Sequence, residues 1–489
     1  MILVLIAALM AQPAAQPTLS LDDIQKLAYA DLSTNVLQED WLHTRYLSLH
    51  AARNPETLIS SLLFVLNSTS FRTNLANPVI VKNAAGEPVL MRLNLFDLGW
   101  DAASRTKRIA RLKERNVNLN YSADIWEELL QEDVYFYTAT TQGGNLYTRG
   151  WLDPTTNDAF RRATYSGKPL LNGAQIIRLI FTEPLYSQIL LHPPKESDLY
   201  RVYGIDEGVV NADPQLRAGG ATLDSIVALQ NRELQLIPSL YGKNDRFIWR
   251  TFDFNKDDVD DKSVLEAFAG TAKHDGREII GSLPNGLHWF YLANGAGEQV
   301  AVVPQAIAID QRSDPKLKLK DRSVINAYKC VSCHVDGINP FVDVVSASAV
   351  KPGIGLGIFK VKAGGGSKTY GSDLKETIEE YYLSKLHDKV ALQSRSYVAT
   401  VKACNGLTTE VNAAAVNEVI ESYVYDLVTP EQAAREIGMS LIEAKAAWRG
   451  SGNPYLVLLS GDVSIRRVAW ERSLKDALLI KVYPWDPKK

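Results

Sequence analysis

The stretch Gly276-Arg277-Glu278-Ile279-Ile280-Gly281-Ser282-Leu283-Pro284-Asn285-Gly286-Leu287-His288-Trp289-Phe290-Tyr291-Leu292 decides how the middle of the chain folds. Two runs of β-branched, aliphatic and aromatic residues flank Pro284-Asn285-Gly286. Asn-Gly tolerates positive φ at both positions, so the pattern predicts an antiparallel hairpin. A second turn, Asn294-Gly295-Ala296-Gly297, leads to Val300–Val303 and extends the prediction to a β-meander over about 277–309. The meander runs toward a second informative stretch, Asn326-Ala327-Tyr328-Lys329-Cys330-Val331-Ser332-Cys333-His334-Val335-Asp336-Gly337-Ile338-Asn339-Pro340-Phe341, which holds two of the three cysteines.

Treating residue types as independent, a chain of this composition would carry C-x-x-C-H by chance in roughly one case in several thousand. Val324, Ile325, Tyr328 and Val331 lie three or four apart, so residues 321–335 read as a helix. On it Cys330, Cys333 and His334 stand at i, i+3 and i+4 and share one face. A covalent haem needs that arrangement, because two thiols add to vinyl groups along one porphyrin edge while an imidazole ligates iron. Zinc asks for a second Cys or His pair at comparable spacing, and Cys404 stands alone. A thioredoxin-like dithiol starts its helix with a low-pKa thiol, whereas this motif falls near a helix end. The spacing therefore points to haem c, with a redox dithiol and a zinc site as the weaker alternatives.

Composition fits a folded protein: 46% of the 489 residues are hydrophobic and 22% charged. A formal charge of −3 gives no reason to expect nucleic acid or an anionic membrane as partner. The opening run Met1–Met10 is apolar and small residues follow, which predicts a secretory signal over 1–15, although no Lys or Arg precedes it. No later segment is apolar for long enough to predict a transmembrane span. Export and covalent haem support one another, since haem c is installed outside the cytosol.

Outward from the centre, 21–73 reads as helical, including 40–52, and 78–100 as two strands around the turn Asn83–Glu87. Helical patterns return at 104–115 and 123–132, and 186–242 reads as mixed helix and loop. Residues 362–372 resemble a Gly-rich linker. Beyond them the chain reads as mainly helical, with capping boxes at Thr429-Pro430-Glu431-Gln432 and Ser440-Leu441-Ile442-Glu443. The fold class expected is α+β and multidomain: a mixed region over 18–265, the meander and haem segment over 266–361, the linker, and a helical region over 373–489. Asp253–Asp261 starts like a calcium loop but carries Asp258 where that loop needs Gly, and 429–448 looks like a helix-turn-helix; both read as structural.

His274-Asp275-Gly276 with Glu278-Ile279-Ile280, then Ser282 to Leu287, then Asp321-Arg322-Ser323-Val324 leading into Cys330-x-x-Cys333-His334-x-x-Gly337-Ile338, resemble a group of large exported bacterial c-type cytochromes. The resemblance continues through Arg45-Tyr46-Leu47, Leu95 to Trp100, Trp249 to Phe254, Cys404 to Thr408 and Glu431 to Trp448, and so covers most of the chain. It implies one haem c and supplies no substrate. The link Lys316-Leu317-Lys318-Leu319-Lys320 is longer and more basic than the resemblance implies; a solvated loop is the simpler reading, a docking patch for an acidic partner the sharper one.

On the haem reading His334 is the proximal ligand, and its second ring nitrogen needs an acceptor from the turn Gly337-Ile338-Asn339-Pro340. Methionine opposite it would make a high-potential carrier, histidine a lower-potential one, and an open position would permit peroxide or gas chemistry. His274 and Met439 are the candidate distal ligands, each with an equally simple role in a turn or cap. Met91, His43, His50, His192, His288 and His387 read as structural. The function expected is single-electron transfer by an exported, periplasmic c-type cytochrome with an unidentified redox partner. A haem enzyme or sensor with an open site, or an apo dithiol protein, are the alternatives. The aromatic-rich region 126–151 is the candidate partner surface.

Overall fold

The computed structural model describes residues 19–50, 54–132, 154–167, 169–212, 216, 218–222, 232–237, 243, 245–253, 274–309, 323–341, 361–363, 366–368, 386–404 and 414–482. Its secondary structure is mixed α+β, as the sequence predicts. Helix α1 (Leu21–Asn35) starts where the Ser20 hydroxyl accepts the Asp23 amide, and it buries Leu21, Ile24, Ala28 and Leu32 on one side. Strand β1 is Thr44–Ser48; α2 is Pro55–Asn67, capped by Asn54 and buried along most of its length. Strands β2 (Val79–Lys82) and β3 (Pro88–Asn94) form the expected hairpin. Helices α3 (Leu95–Leu98), α4 (Ala102–Glu114), α5 (Ile125–Glu132) and α6 (Pro154–Thr164) follow, then β4 (Leu170–Asn172).

The first sheet runs β2-β3-β1-β4, with β1 antiparallel to β3 and parallel to β4. Its centre corrects the expectation of helix over 40–52. All five residues of β1 are buried, so the strand has apolar and polar side chains on both faces and no alternation to betray it. Asp31 of α1 ties helix to sheet: it takes two bonds from Arg92 (3.0 and 2.8 Å) and one from the Tyr46 hydroxyl (2.8 Å). Met91, opposite Leu47, is fully buried core.

Helices α7 (Gly173–Ile180), α8 (Leu185–Leu190), α9 (Glu196–Val202) and α10 (Glu207–Ala212) lead to the second sheet. Its strands β5 (Ala218–Thr222), β6 (Arg232–Ile237), β7 (Ile248–Phe252), β8 (Gly276–Ser282) and β9 (His288–Asn294) pair in order, all antiparallel. Strands β5 and β6 replace the helix and loop expected there. The β8–β9 hairpin is the one its sequence predicts: Leu283 donates to the Leu287 carbonyl (2.7 Å) and Gly286 to the Leu283 carbonyl (2.9 Å). Asn285 reaches out of the turn to donate to the carbonyl of Asn67, the last residue of α2 (2.8 Å).

One face of this sheet meets α8 and α9. Trp289 lies over Gly281, where a Cβ would come within 2.0 Å of the indole, so only glycine lets the ring lie flat on the sheet. The same ring stacks on Tyr203 at 4.3 Å, with His192 at its edge. Arg250 and Arg277 point to this side and pair with Glu207 and Glu196. Cross-strand partners share a face, so Glu278, Ile280, Ser282, His288, Phe290 and Leu292 line the other side.

That second face is covered by later chain. Helix α11 is Tyr328–Cys333 and α12 is Leu386–Ala403. The helix expected over 321–335 is thus shorter at its start. Val303 donates to the Val324 carbonyl (3.0 Å) and Asn326 to the Ala301 carbonyl (2.9 Å), which holds 324–326 extended, and Ala327 turns the chain with a φ of 58°. The pairing takes up the segment 301–303 that was expected to extend the meander. Strands β10 (Val361–Ala363) and β11 (Gly366–Lys368) pair around residues 364–365.

Helix α13 (Ala414–Tyr425) packs against α2, α7 and α11. Then come β12 (Leu427–Val428), α14 (Pro430–Glu436), α15 (Leu441–Trp448), α16 (Pro454–Ser460), β13 (Ile465–Arg466) and α17 (Arg467–Val482). Both predicted capping boxes are formed, at Thr429 with Gln432 and Ser440 with Glu443. The pair α14–α15 is a packed helical hairpin, with Trp448 edge-on to Trp470 of α17. Among the described residues no helix is long and apolar enough to cross a membrane. The run 1–15, the basic link 316–320, the calcium-loop-like residues 254–261 and most of 126–151 lie outside the described residues; Trp126 itself is buried.

Candidate functional site

The C-x-x-C-H motif occupies the one and a half turns of α11 and its end. Lys329 bonds back to Ile325 (3.0 Å), Val331 to Ala327 (2.9 Å) and His334 to Cys330 (2.9 Å), so Cys330 and Cys333 stand one turn apart and His334 leaves the helix at its cap. Cys330 is buried, Cys333 half-buried and His334 buried; none of the three cysteines is in a disulfide. Burial, then the nearby Glu278 and Cys333, push the Cys330 thiol well above its ordinary pKa. An activated dithiol requires the opposite shift.

The chain turns directly behind the motif. Gly337 donates to the His334 carbonyl (3.1 Å) and adopts φ 93°, a left-handed value that suits glycine. Its flank is closed by α12: a Cβ on Gly337 would meet Ser394 Oγ at 2.9 Å and its Cα at 3.0 Å, and the Ser394 hydroxyl donates to the Ile338 carbonyl (3.2 Å). The turn aims the Gly337 carbonyl at His334 Nδ1, 3.0 Å away. A carbonyl only accepts, so Nδ1 is the donor in this contact, and Nε2 is turned to the opposite side of the ring. The acceptor therefore comes from the predicted turn, at Gly337.

The other side of the ring meets β8 and β9. His334 Nε2 lies 3.3 Å from Glu278 Oε1, both side chains buried, and Phe290 flanks the ring with centroids 6.1 Å apart. Beside them His288 stacks on Tyr397 of α12 at 4.0 Å, and Gln393 donates to Ser282 (3.0 Å). Burial, with His334 and Arg246 adding to it, lowers the His288 pKa to about 3, so that imidazole is neutral. Among the described residues neither ring nitrogen of His288, nor the Tyr397 hydroxyl, has a hydrogen-bond partner. Trp249, Phe341 and His387 form an aromatic ladder at the rim, with centroid spacings of 5.5 and 5.1 Å. At the start of α11, Tyr328 donates to Glu421 of α13.

Cys330, Cys333 and His334 are thus together. The two candidate distal ligands are elsewhere in the fold: His274 precedes β8 and packs edge-on against Phe252 (5.6 Å), and Met439 sits at the cap of α15, its neighbour Gly438 lying against Ser20 and Lys481. Sequence reasoning missed Glu278, Phe290 and Tyr397. Glu278 is 56 positions from His334, and only the register of β8 with β7 and β9 shows which face it takes. The remaining histidines have structural surroundings: His50 between Ser48 and Asn172, His192 against Tyr203.

These residues fit a covalent haem on the donor set itself. Two thiols stand one helical turn apart, and the adjacent imidazole turns Nδ1 to a backbone carbonyl and Nε2 toward Glu278, so Nε2 is the ring atom that would hold the iron, in place of its present contact. No protein-family model matches the chain, and no curated protein or solved structure is similar to it.

Proposed function

We propose that this chain is an exported, periplasmic c-type haem protein, with one haem held by thioethers from Cys330 and Cys333 and ligated by His334 Nε2, and that it serves one-electron transfer. The observation that carries the reading is the bond from His334 Nδ1 to the Gly337 carbonyl (3.0 Å). It orients the imidazole with Nδ1 toward the backbone, as a histidine that binds metal through Nε2 is oriented, and it depends on a turn that Ser394 of α12 closes from outside. Haem would supply an iron centre that exchanges single electrons. The protein's part is to orient the imidazole, to flank it with Phe290, and to shield Cys330 from solvent.

A second reading, a haem enzyme or sensor that binds an exogenous ligand, has its own support. Among the described residues the His334 ring meets Gly337, Glu278 and Phe290, none of them a methionine or a histidine. The test of the main reading is a pyridine haemochrome spectrum of protein secreted from a host with cytochrome c maturation machinery. Two thioether links give one characteristic α-band position, and the C330A/C333A double variant should lose covalent haem. Wild-type protein without covalent haem would sink the proposal. Carbon monoxide then separates the two functions, since a carrier with both axial positions filled does not bind it.

A further inference from the structure

Helix α13 carries a second arrangement that the haem motif does not use. A cavity of about 570 Å³ opens between α13, the start of α2, β12 and α14, with Arg467 of α17 in its wall. That volume lies in the range of small-molecule sites. Two neighbouring rows of α13 line it. Glu418 and Ser422 stand four residues apart, and Asp426 four further on, just past the helix end, so a polar row runs along one line of the helix. Val419 and Tyr423 form the row beside it, and with Leu58 of α2 they give the cavity a buried apolar side. Tyr423 is 4% exposed and its hydroxyl has no hydrogen-bond partner among the described residues, so this wall holds an unfilled donor and acceptor.

The charges around the cavity do not balance. Among the described lining residues Glu418, Asp426 and Glu436 are acidic and Arg467 is the one cation. Glu436 is already matched: Arg467 Nη1 donates to its Oε1 (2.5 Å) and Trp470 Nε1 to its Oε2 (2.7 Å). Ser422 donates its hydroxyl to the Asp426 carboxylate, which keeps that group beside the polar row. Arg466 lies over the Tyr425 ring at 5.5 Å, and counting it still leaves one negative charge in excess. The last carbonyls of α13 end at the same place and add partial negative charge.

We propose that this cavity binds a small organic cation, an amine on an apolar body, with its ammonium group against Glu418 and Asp426 and its hydrocarbon on Leu58, Val419 and Tyr423. The proposal stands independently of the haem reading. The carboxylates accept hydrogen bonds from the ammonium group, and such charge-assisted bonds are the strong ones. The apolar row takes hydrocarbon out of water, so amines with a chain or ring are favoured over a bare ammonium ion. An anion of the same shape meets the excess negative charge and is rejected.

The test is isothermal titration calorimetry of the full chain at millimolar probe concentration. The probes are butylamine, cyclohexylamine and phenethylamine, each beside the alcohol of the same skeleton, with phenylacetate as the matching anion. At least one amine should bind saturably at a single site, and its alcohol and phenylacetate about tenfold more weakly or not at all. Glu418→Gln changes an exposed position, so the fold tolerates it, and it should weaken the amine about tenfold, the scale of one charge-assisted hydrogen bond. Asp97→Asn removes the same charge from an exposed position outside the cavity lining and should leave binding unchanged. Ser422→Phe puts a ring into the cavity and should abolish binding. Saturable binding by none of the three amines would overturn the proposal. So would alcohols that bind as tightly as their amines, E418Q and D97N variants that weaken binding equally, or an amine whose binding survives S422F.

Discussion

Gly337 sets the His334 ring. Its φ of 93° costs an L side chain strain, and Ser394 atoms at 2.9–3.1 Å leave no room for a Cβ. Gly337→Ala should destabilise the fold by about 2 kcal/mol, the range expected for a strained left-handed position. Urea unfolding curves measure this, and unchanged midpoints would count against the turn's role. Gly281→Ala should cost more, about 3 kcal/mol, because its Cβ would overlap the Trp289 indole inside a closely packed layer. Of these residues the motif and the Asn-Gly turn were legible, since both are local patterns. The need for glycine at 281 was not, because it comes from a ring on the neighbouring strand.

At the level of elements, the sequence was most readable where a side chain bonds within its own turn. The boxes at Thr429 and Ser440 formed as expected, and Ser440→Ala should cost about 1 kcal/mol in equilibrium unfolding. A loss near zero would mean that α15 frays in solution. Readability failed where pairing over distance decides the conformation. Residues 324–326 carry an apolar spacing that suits a helix, yet their backbone bonds to 301–303 and postpones α11 until Tyr328. Strand β1 is buried on both faces and leaves no period-two trace, so its apolar spacing imitates that of a helix.

Across the whole molecule, N-terminal helices, sheets and C-terminal helices contribute to one apolar core. The Asn285–Asn67 bond joins the second sheet to α2, and α13 packs on α2, α7 and α11 together. Three buried histidines, His288 of the candidate site and two others, make this body sensitive to acid. Burial lowers the pKa of His50 to about 4, with Glu436 opposing and Arg467 adding, and that of His192 to about 3, with Arg108 adding. The unfolded chain binds these protons from the ordinary value of 6.5 downward while the folded chain refuses them. Stability is therefore complete above that value and falls as the pH drops toward 4 and then 3. Each histidine contributes about 1.4 kcal/mol per pH unit. Urea midpoints across this range should fall, and His50→Gln should flatten the slope; an unaltered slope would show that His50 titrates freely. The candidate site was legible only in part at this scale, because Glu278, Phe290 and Tyr397 reach His334 and His288 through strand register and a helix returning from far along the chain.

Cys330 has 1% of its surface exposed, whereas Cys333, three residues on, is only half-buried. Any reagent or maturation enzyme that modifies Cys330 must catch the chain while α11 is still apart from its packing, and α13 is made more than eighty residues later. The difference in labelling rate between the two thiols thus works as a clock for closure. Reaction of Cys330 in the folded protein therefore reports how often α11 opens.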